Sequence, residues 1–120
     1  QACVYRKRAS ERADAAKTDR VVSVTHGSKI SVGHLTGTVV DTSGHTVDSI
    51  GLVFPERAFT GDALFAGSVG GTASSAQAQT QIRNLQESIL SLPDTTEIYP
   101  GHGPATTVYI EKRYNPFIAR

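Results

Sequence analysis

The order of strand-like and helix-like stretches predicts an α+β fold, a β-meander with helices packed on one face of the sheet. Three observations carry this. Short β-branched runs punctuated by glycine and proline fill residues 20–60. Ile82, Leu85, Ile89 and Leu92 then recur at spacings of three, four and three, the period of an amphipathic helix. A short strand and a second helical run follow.

Taken in order, Ala2-Cys3-Val4-Tyr5 is a strand-type run, and the polar stretch Arg8 to Thr18 has no apolar face and is expected at the surface. Arg20 to Val24 is β-branched, and after His26-Gly27-Ser28 the alternation of Ile30 and Val32 with Lys29 and Ser31 continues the β pattern. Leu35 to Asp41 is the next strand and leads into the turn Ser43-Gly44-His45. Ser49 to Phe54 and Arg57 to Thr60 are strands joined by a turn at Pro55-Glu56. Residues Ala66 to Ser75 read as a Gly/Ser/Ala/Thr-rich loop long enough to border a site. In the helix that follows, Ser74 or Ser75 is expected to cap the start and Pro93 to end it, with Gln81, Arg83, Asn84, Gln86 and Glu87 on the outer face. Glu97-Ile98-Tyr99 is a short strand, and Thr107 to Tyr114 a last helix stopped by Asn115-Pro116.

Size and charge narrow the function. The 120 residues, 38% of them hydrophobic, suit one domain with a modest core and no linker. A net charge of +1 argues against nucleic-acid or membrane-surface binding built on charge, and Arg6-Lys7-Arg8 is too short to change that. No apolar run approaches a membrane span. Cys3 is the single cysteine, so no internal disulfide forms, and it is expected to be a small buried hydrophobe; a cytoplasmic setting is the default expectation. The absence of methionine and the start at Gln1 are what a processed chain or a piece of a longer product would show.

Chemistry concentrates in three places. Asp62 lies in Phe59-Thr60-Gly61-Asp62-Ala63-Leu64-Phe65, a carboxylate in an apolar run, which calls for pairing, hydrogen bonding or a metal. His45 follows a glycine in Thr42-Ser43-Gly44-His45-Thr46, and His102 does so in Tyr99-Pro100-Gly101-His102-Gly103-Pro104. Either histidine alone would be expected to cap a backbone carbonyl. Two imidazoles and a carboxylate on strand-end loops read together as part of a metal site. His26 and His34 are expected to be ordinary surface histidines, and Gly70-Gly71, without a lysine, is not a phosphate loop.

These three motifs, in this order and spacing, resemble the C-terminal half of a metallo-β-lactamase-fold hydrolase of the glyoxalase II-like branch. Leu92-Pro93-Asp94-Thr95-Thr96, Thr106-Thr107, Glu111-Lys112-Arg113 and Asn115-Pro116-Phe117 extend the resemblance over nearly the whole chain. The resemblance implies half of an αββα sandwich. It also implies His45 as a ligand of a first metal, Asp62 as a bridging carboxylate and His102 as a ligand of a second, with two zinc ions in the complete domain or iron as the alternative. The activity implied is thioester or ester hydrolysis by a metal-bound hydroxide.

Residues 1–120 would then be a single partial domain lacking the branch's His-x-His-x-Asp-His motif, expected in an N-terminal half. Three candidate ligands fall short of two metal sites, so metal binding by the chain alone is expected to be weak or absent, and the fragment inactive without that half. Its expected partners are the missing half or a second chain, a small-molecule substrate and, through an exposed sheet edge, a second copy. Gly67-Ser68-Val69-Gly70-Gly71-Thr72-Ala73 departs from the branch, which often carries an Arg and an Asp in this glycine-rich loop, and Val47-Asp48 stand where Pro-Gly is common. His26-Gly27 is reminiscent of the persulfide dioxygenase branch, so a one-iron oxygenase is the alternative enzyme. A non-catalytic binding or oligomerising half-domain is the alternative from outside enzymology.

Overall fold

The computed structural model describes residues 4–7 and 21–119, with ten strands and two helices among them. The expectations for Cys3 and for Arg8 to Thr18 lie outside the described residues. β1 (Val4–Lys7) and β2 (Val21–Val24) pair in parallel, Val4 opposite Val21.

The main sheet holds six strands in the order β10-β9-β6-β5-β4-β3. β3 (Lys29–Val32), β4 (Leu35–Asp41), β5 (Ile50–Phe54) and β6 (Arg57–Gly61) form the predicted antiparallel meander. β9 (Glu97–Pro100) then joins β6 in parallel, and β10 (Thr106–Thr107), which the sequence pattern did not announce, pairs antiparallel with β9. Strands β4, β6 and β9 therefore run in the same direction, and their C-terminal ends share one edge of the sheet.

Register sorts the side chains. Val40, Ala58 and Ile98 face α1 (Ser75–Ser88) and α2 (Val108–Tyr114), forming a core with Leu64, Leu85, Ile89, Leu90 and Val108. Leu85, Ile89 and Ile98 are fully buried, each contributing about 2 kcal/mol of transfer free energy. The opposite face carries Val39, Leu52, Phe59 and Tyr99 as successive cross-strand neighbours. There Val24, Ile30 and Val39 make a smaller core, while Phe59 stacks on Tyr99 with ring centroids 5.4 Å apart and stays exposed.

Helix α1 starts where expected, with the Ser74 side chain accepting from the Gln77 amide. It ends at an Ile89 cap, before Pro93, because the Ile89 and Leu90 amides both close on the Leu85 carbonyl and the chain turns there. The Ala66 to Ser75 loop also differs from expectation: β7 (Leu64–Phe65), just before it, pairs with β8 (Ser68–Val69), in its first half, as a small hairpin. Among the described residues no helix is long and apolar enough to cross a membrane.

Candidate metal centre

Parallel β4, β6 and β9 bring the three motif loops to one edge. Asp62 follows Gly61, whose φ of 54° turns the chain out of β6. The turn is closed by the Ala63 amide on the Thr60 carbonyl at 3.1 Å and by Thr60 Oγ1 donating to the Leu64 carbonyl at 2.9 Å. Ala63 and Leu64 go into the core, and Asp62 projects outward with its side chain 46% exposed. The apolar run thus does not bury the carboxylate, because its neighbours and not Asp62 face the helices.

His102 leaves β9 beside it. The Gly101 amide donates to the Gly61 carbonyl at 2.8 Å, carrying the parallel pairing one residue past the strands. A Cβ on Gly101 would stand 3.0 Å from Asp62 Oδ1, so a side chain there would push the carboxylate aside by a few tenths of an ångström. His102 Nδ1 donates to Asp62 Oδ1 at 2.9 Å, since a carboxylate can only accept. The lone pair of a neutral His102 then sits on Nε2, turned away from Asp62. The ring is 79% exposed, which leaves room for it to rotate. Phe65 lies edge-on to it, 6.3 Å between centroids.

His45 stands across Gly70 from Asp62. A Cβ on Gly70 would overlap the Asp62 carbonyl oxygen and come within 3.1 Å of His45 Cβ and Cγ. The His45 loop is locked locally: Asp41 Oδ1 accepts from the Ser43 amide at 2.8 Å, and the Thr46 and Ser49 hydroxyls bond at 2.6 Å. Helix α1 holds it from below. Asn84 Nδ2 donates to the Ser43 carbonyl at 3.0 Å and Gln81 Oε1 accepts from the His45 amide at 2.8 Å. His45 Nδ1 donates to the Gly71 carbonyl at 2.6 Å, because a carbonyl can only accept, so Nε2 carries the lone pair. An imidazole whose other nitrogen donates to a backbone carbonyl has the form of a metal-ligating histidine.

The structure brings Asp62 and His102 into contact, and His45 lies on the neighbouring loop at the same edge, on the far side of Gly70 from the Asp62 carbonyl. The donor chemistry suits a divalent zinc or iron ion, with two neutral imidazoles and one carboxylate. The three do not come together as a set: among the described residues no group of three or more His, Cys, Asp or Glu side chains is placed to hold a metal ion.

Gln81 and Glu111 are the structural supports that sequence reasoning missed. Gln81, expected on the outer face of its helix, is fully buried, because it lies one turn before Leu85 and two before Ile89 on the stripe facing the sheet. A polar residue in register with that stripe was the available signal. Glu111 is buried and accepts from Thr106 Oγ1 at 2.6 Å, the Gly67 amide at 2.9 Å and Asn115 Nδ2 at 2.8 Å, tying α2 to the β7–β8 hairpin. His26 and His34 are exposed, as expected, and His26 Nδ1 accepts from the Asp41 amide at 3.0 Å.

Comparison with known proteins agrees with this architecture. No family model matches the chain. It is 39% identical over 83 residues to a protein of Streptococcus pyogenes serotype M6 named "Probable metallo-hydrolase", covering 67% of this chain and 36% of that protein. It is 42% identical over 78 residues to "Hydroxyacylglutathione hydrolase GloC" of Haemophilus influenzae, covering 62% of this chain and 37% of the relative. Among solved structures, ETHE1 from Myxococcus xanthus aligns with a TM-score of 0.76 at 40% identity over 82% of this chain and 46% of that one. A metallo-β-lactamase from Staphylococcus aureus aligns with a TM-score of 0.86 at 28% identity, over 99% of this chain and 41% of that one. The chain spans little more than a third of the length of these two curated relatives. It is a homologue of proteins named metallo-hydrolase and hydroxyacylglutathione hydrolase, and its α+β structure shares the metallo-β-lactamase fold.

Proposed function

We propose that this chain is part of a metal-dependent hydrolase of thioesters or esters, to which it contributes His45, Asp62 and His102. The observation that supports this best is the contact of the His102 imidazole with the outward Asp62 carboxylate at the adjoining ends of β6 and β9, with the His45 loop at the end of β4 on the same edge. When bound, divalent metal supplies acidity to a water molecule and polarises a substrate carbonyl. His45 would hold one ion through Nε2. Asp62 would lend its two oxygens to both ions, and His102 would reach the second by rotating its exposed ring. The hydroxyacylglutathione hydrolase relative favours a thioester of glutathione as substrate.

A complete centre needs further ligands, since a zinc site ordinarily takes three protein ligands and a water, or four. We infer that these come from a further segment or a second chain, and that this chain alone binds metal weakly and does not turn over substrate. The sheet face lined by Val32, Leu35, Leu52, Phe54 and Phe59, a groove of about 350 Å³, is where such a segment, or a second copy of this chain, would find apolar surface. The rival reading, a one-iron oxygenase acting on a persulfide, drew on His26-Gly27. The His26 hydrogen bond to the Asp41 amide fits either reading, and the metal bound by the complete protein separates the two.

A zinc titration followed through the ring nitrogens of all four histidines tests the proposal. The expected result is movement of His45 and His102 Nε2, with His26 and His34 unmoved. Equal response of all four, or of none at millimolar zinc, would overturn it. In material containing the complementary segment, zinc or manganese content with thioester cleavage supports hydrolysis, and iron content with oxygen consumption overturns it.

A further inference from the structure

We infer that Gln81 is a positioning residue that sets the orientation and tautomer of His45, an inference that rests on the ligand role proposed above. The Gln81 side chain is fully buried, and both ends of its amide are used. Oε1 accepts from the His45 amide at 2.8 Å, and Nε2 donates to the Gly70 carbonyl at 2.8 Å. The next carbonyl, that of Gly71, receives His45 Nδ1 at 2.6 Å. One amide therefore fixes both the backbone that carries the imidazole and the strand of chain that orients its ring. Because Gly71 presents a carbonyl, Nδ1 must keep its proton, and Nε2 is left as the metal-binding atom.

The helix reaches this position only because residue 44 is glycine. A Cβ there would overlap Gln81 Cβ and stand 2.7 Å from Gln81 Cα. Glycines at 70 and 71 leave the facing loop without side chains: a Cβ at Gly70 would overlap the Asp62 carbonyl. Asn84, one turn along, grips the same loop through the Ser43 carbonyl and hydroxyl at 3.0 and 3.1 Å and has no bond to the Gly70-Gly71 segment. The two residues divide the work: Asn84 holds the loop, and Gln81 couples it to the carbonyl that aims the ring.

The test compares wild type, Gln81→Leu, Gln81→Glu and Asn84→Ala by long-range proton–nitrogen correlation of the His45 ring and by exchange of the His45 amide, without metal. Wild-type His45 should be a single Nδ1–H tautomer with a slowly exchanging amide. Gln81→Leu should give a tautomer mixture and amide exchange at least about 10-fold faster. Gln81→Glu should keep the slow amide, since an acceptor remains, but lose the single tautomer, because a carboxylate faces the Gly70 carbonyl. Asn84→Ala should leave the tautomer unchanged. An unchanged tautomer in Gln81→Glu, or an equal loss in Asn84→Ala, overturns the inference, and either can be read if Gln81→Leu does not fold. Zinc affinity at His45 should fall about 10-fold in Gln81→Glu. If wild-type His45 does not respond to zinc at all, the ligand proposal fails, while the tautomer comparison still decides the role of Gln81.

Discussion

His102 Nδ1 and Asp62 Oδ1 are 2.9 Å apart although 40 residues separate them in sequence, and the cause is the parallel pairing of β6 with β9. The Gly101 amide extends that pairing onto the Gly61 carbonyl, so the two side chains leave adjacent strand ends together. Proton donation by the imidazole orients the carboxylate, and the second oxygen of Asp62 remains for another partner.

Asp62→Asn keeps the shape of this contact and removes the charge. The chain should fold as before, and affinity for zinc should fall by at least about 10-fold, read by competition with a chromogenic chelator. Equal affinity would mean that Asp62 does not contact the ion.

Two glycines with positive φ should respond differently to alanine. At Gly44 the new methyl would overlap Gln81, whereas at Gly27, with φ 90°, nothing lies within 4 Å. Gly27→Ala should cost about 1 kcal/mol from backbone strain alone, and Gly44→Ala about 2 kcal/mol or more, with the His45 amide exchanging faster as well. Urea unfolding of both variants measures the difference.

Glu111→Ala should be among the most destabilising single changes outside the apolar core. It strands the Thr106 hydroxyl and the Gly67 amide and leaves the Asn115 side-chain amide only its bond to the Ser68 carbonyl. About 3 kcal/mol of stability should be lost, read from the urea midpoint at unchanged slope. Protease cleavage should appear first between Phe65 and Val69, because that hairpin loses its bond at the Gly67 amide and keeps only the one from Asn115 to the Ser68 carbonyl.

Arg57 should add no pH dependence across the neutral range. Its Nε donates to Glu97 Oε1 at 3.3 Å, and Glu97 first, then Tyr99, holds the guanidinium above its ordinary value. A basic group raised in this way keeps its full contribution below its unfolded value and loses it only as pH rises through the folded one, far into alkali. Both side chains are at least half exposed, so added salt should screen the pair. Arg57→Gln should therefore leave the thermal midpoint unchanged at neutral pH in high salt.

Local chemistry in the sequence was enough to determine the strands of the meander and both helices, and to single out candidate ligands. β-branched runs between glycine and proline turns determined the meander, and the bounds of β4 fall where the pattern put them, Leu35 to Asp41. The apolar spacing through Leu85 and Ile89 determined α1, Ser74 its start, and three glycine-flanked polar motifs pointed to His45, Asp62 and His102. Only the tertiary structure decided that β9 enters the sheet beside β6, since a parallel pairing between strands more than thirty residues apart leaves no local mark. The tertiary structure also decided that Asp62 faces outward and that Gln81 and Glu111 face inward. Helical or strand period assigns a residue to a face by polarity. A polar group is buried against that rule when backbone amides and carbonyls distant in sequence converge to satisfy it, and that convergence exists only once the strands have been brought to a common edge.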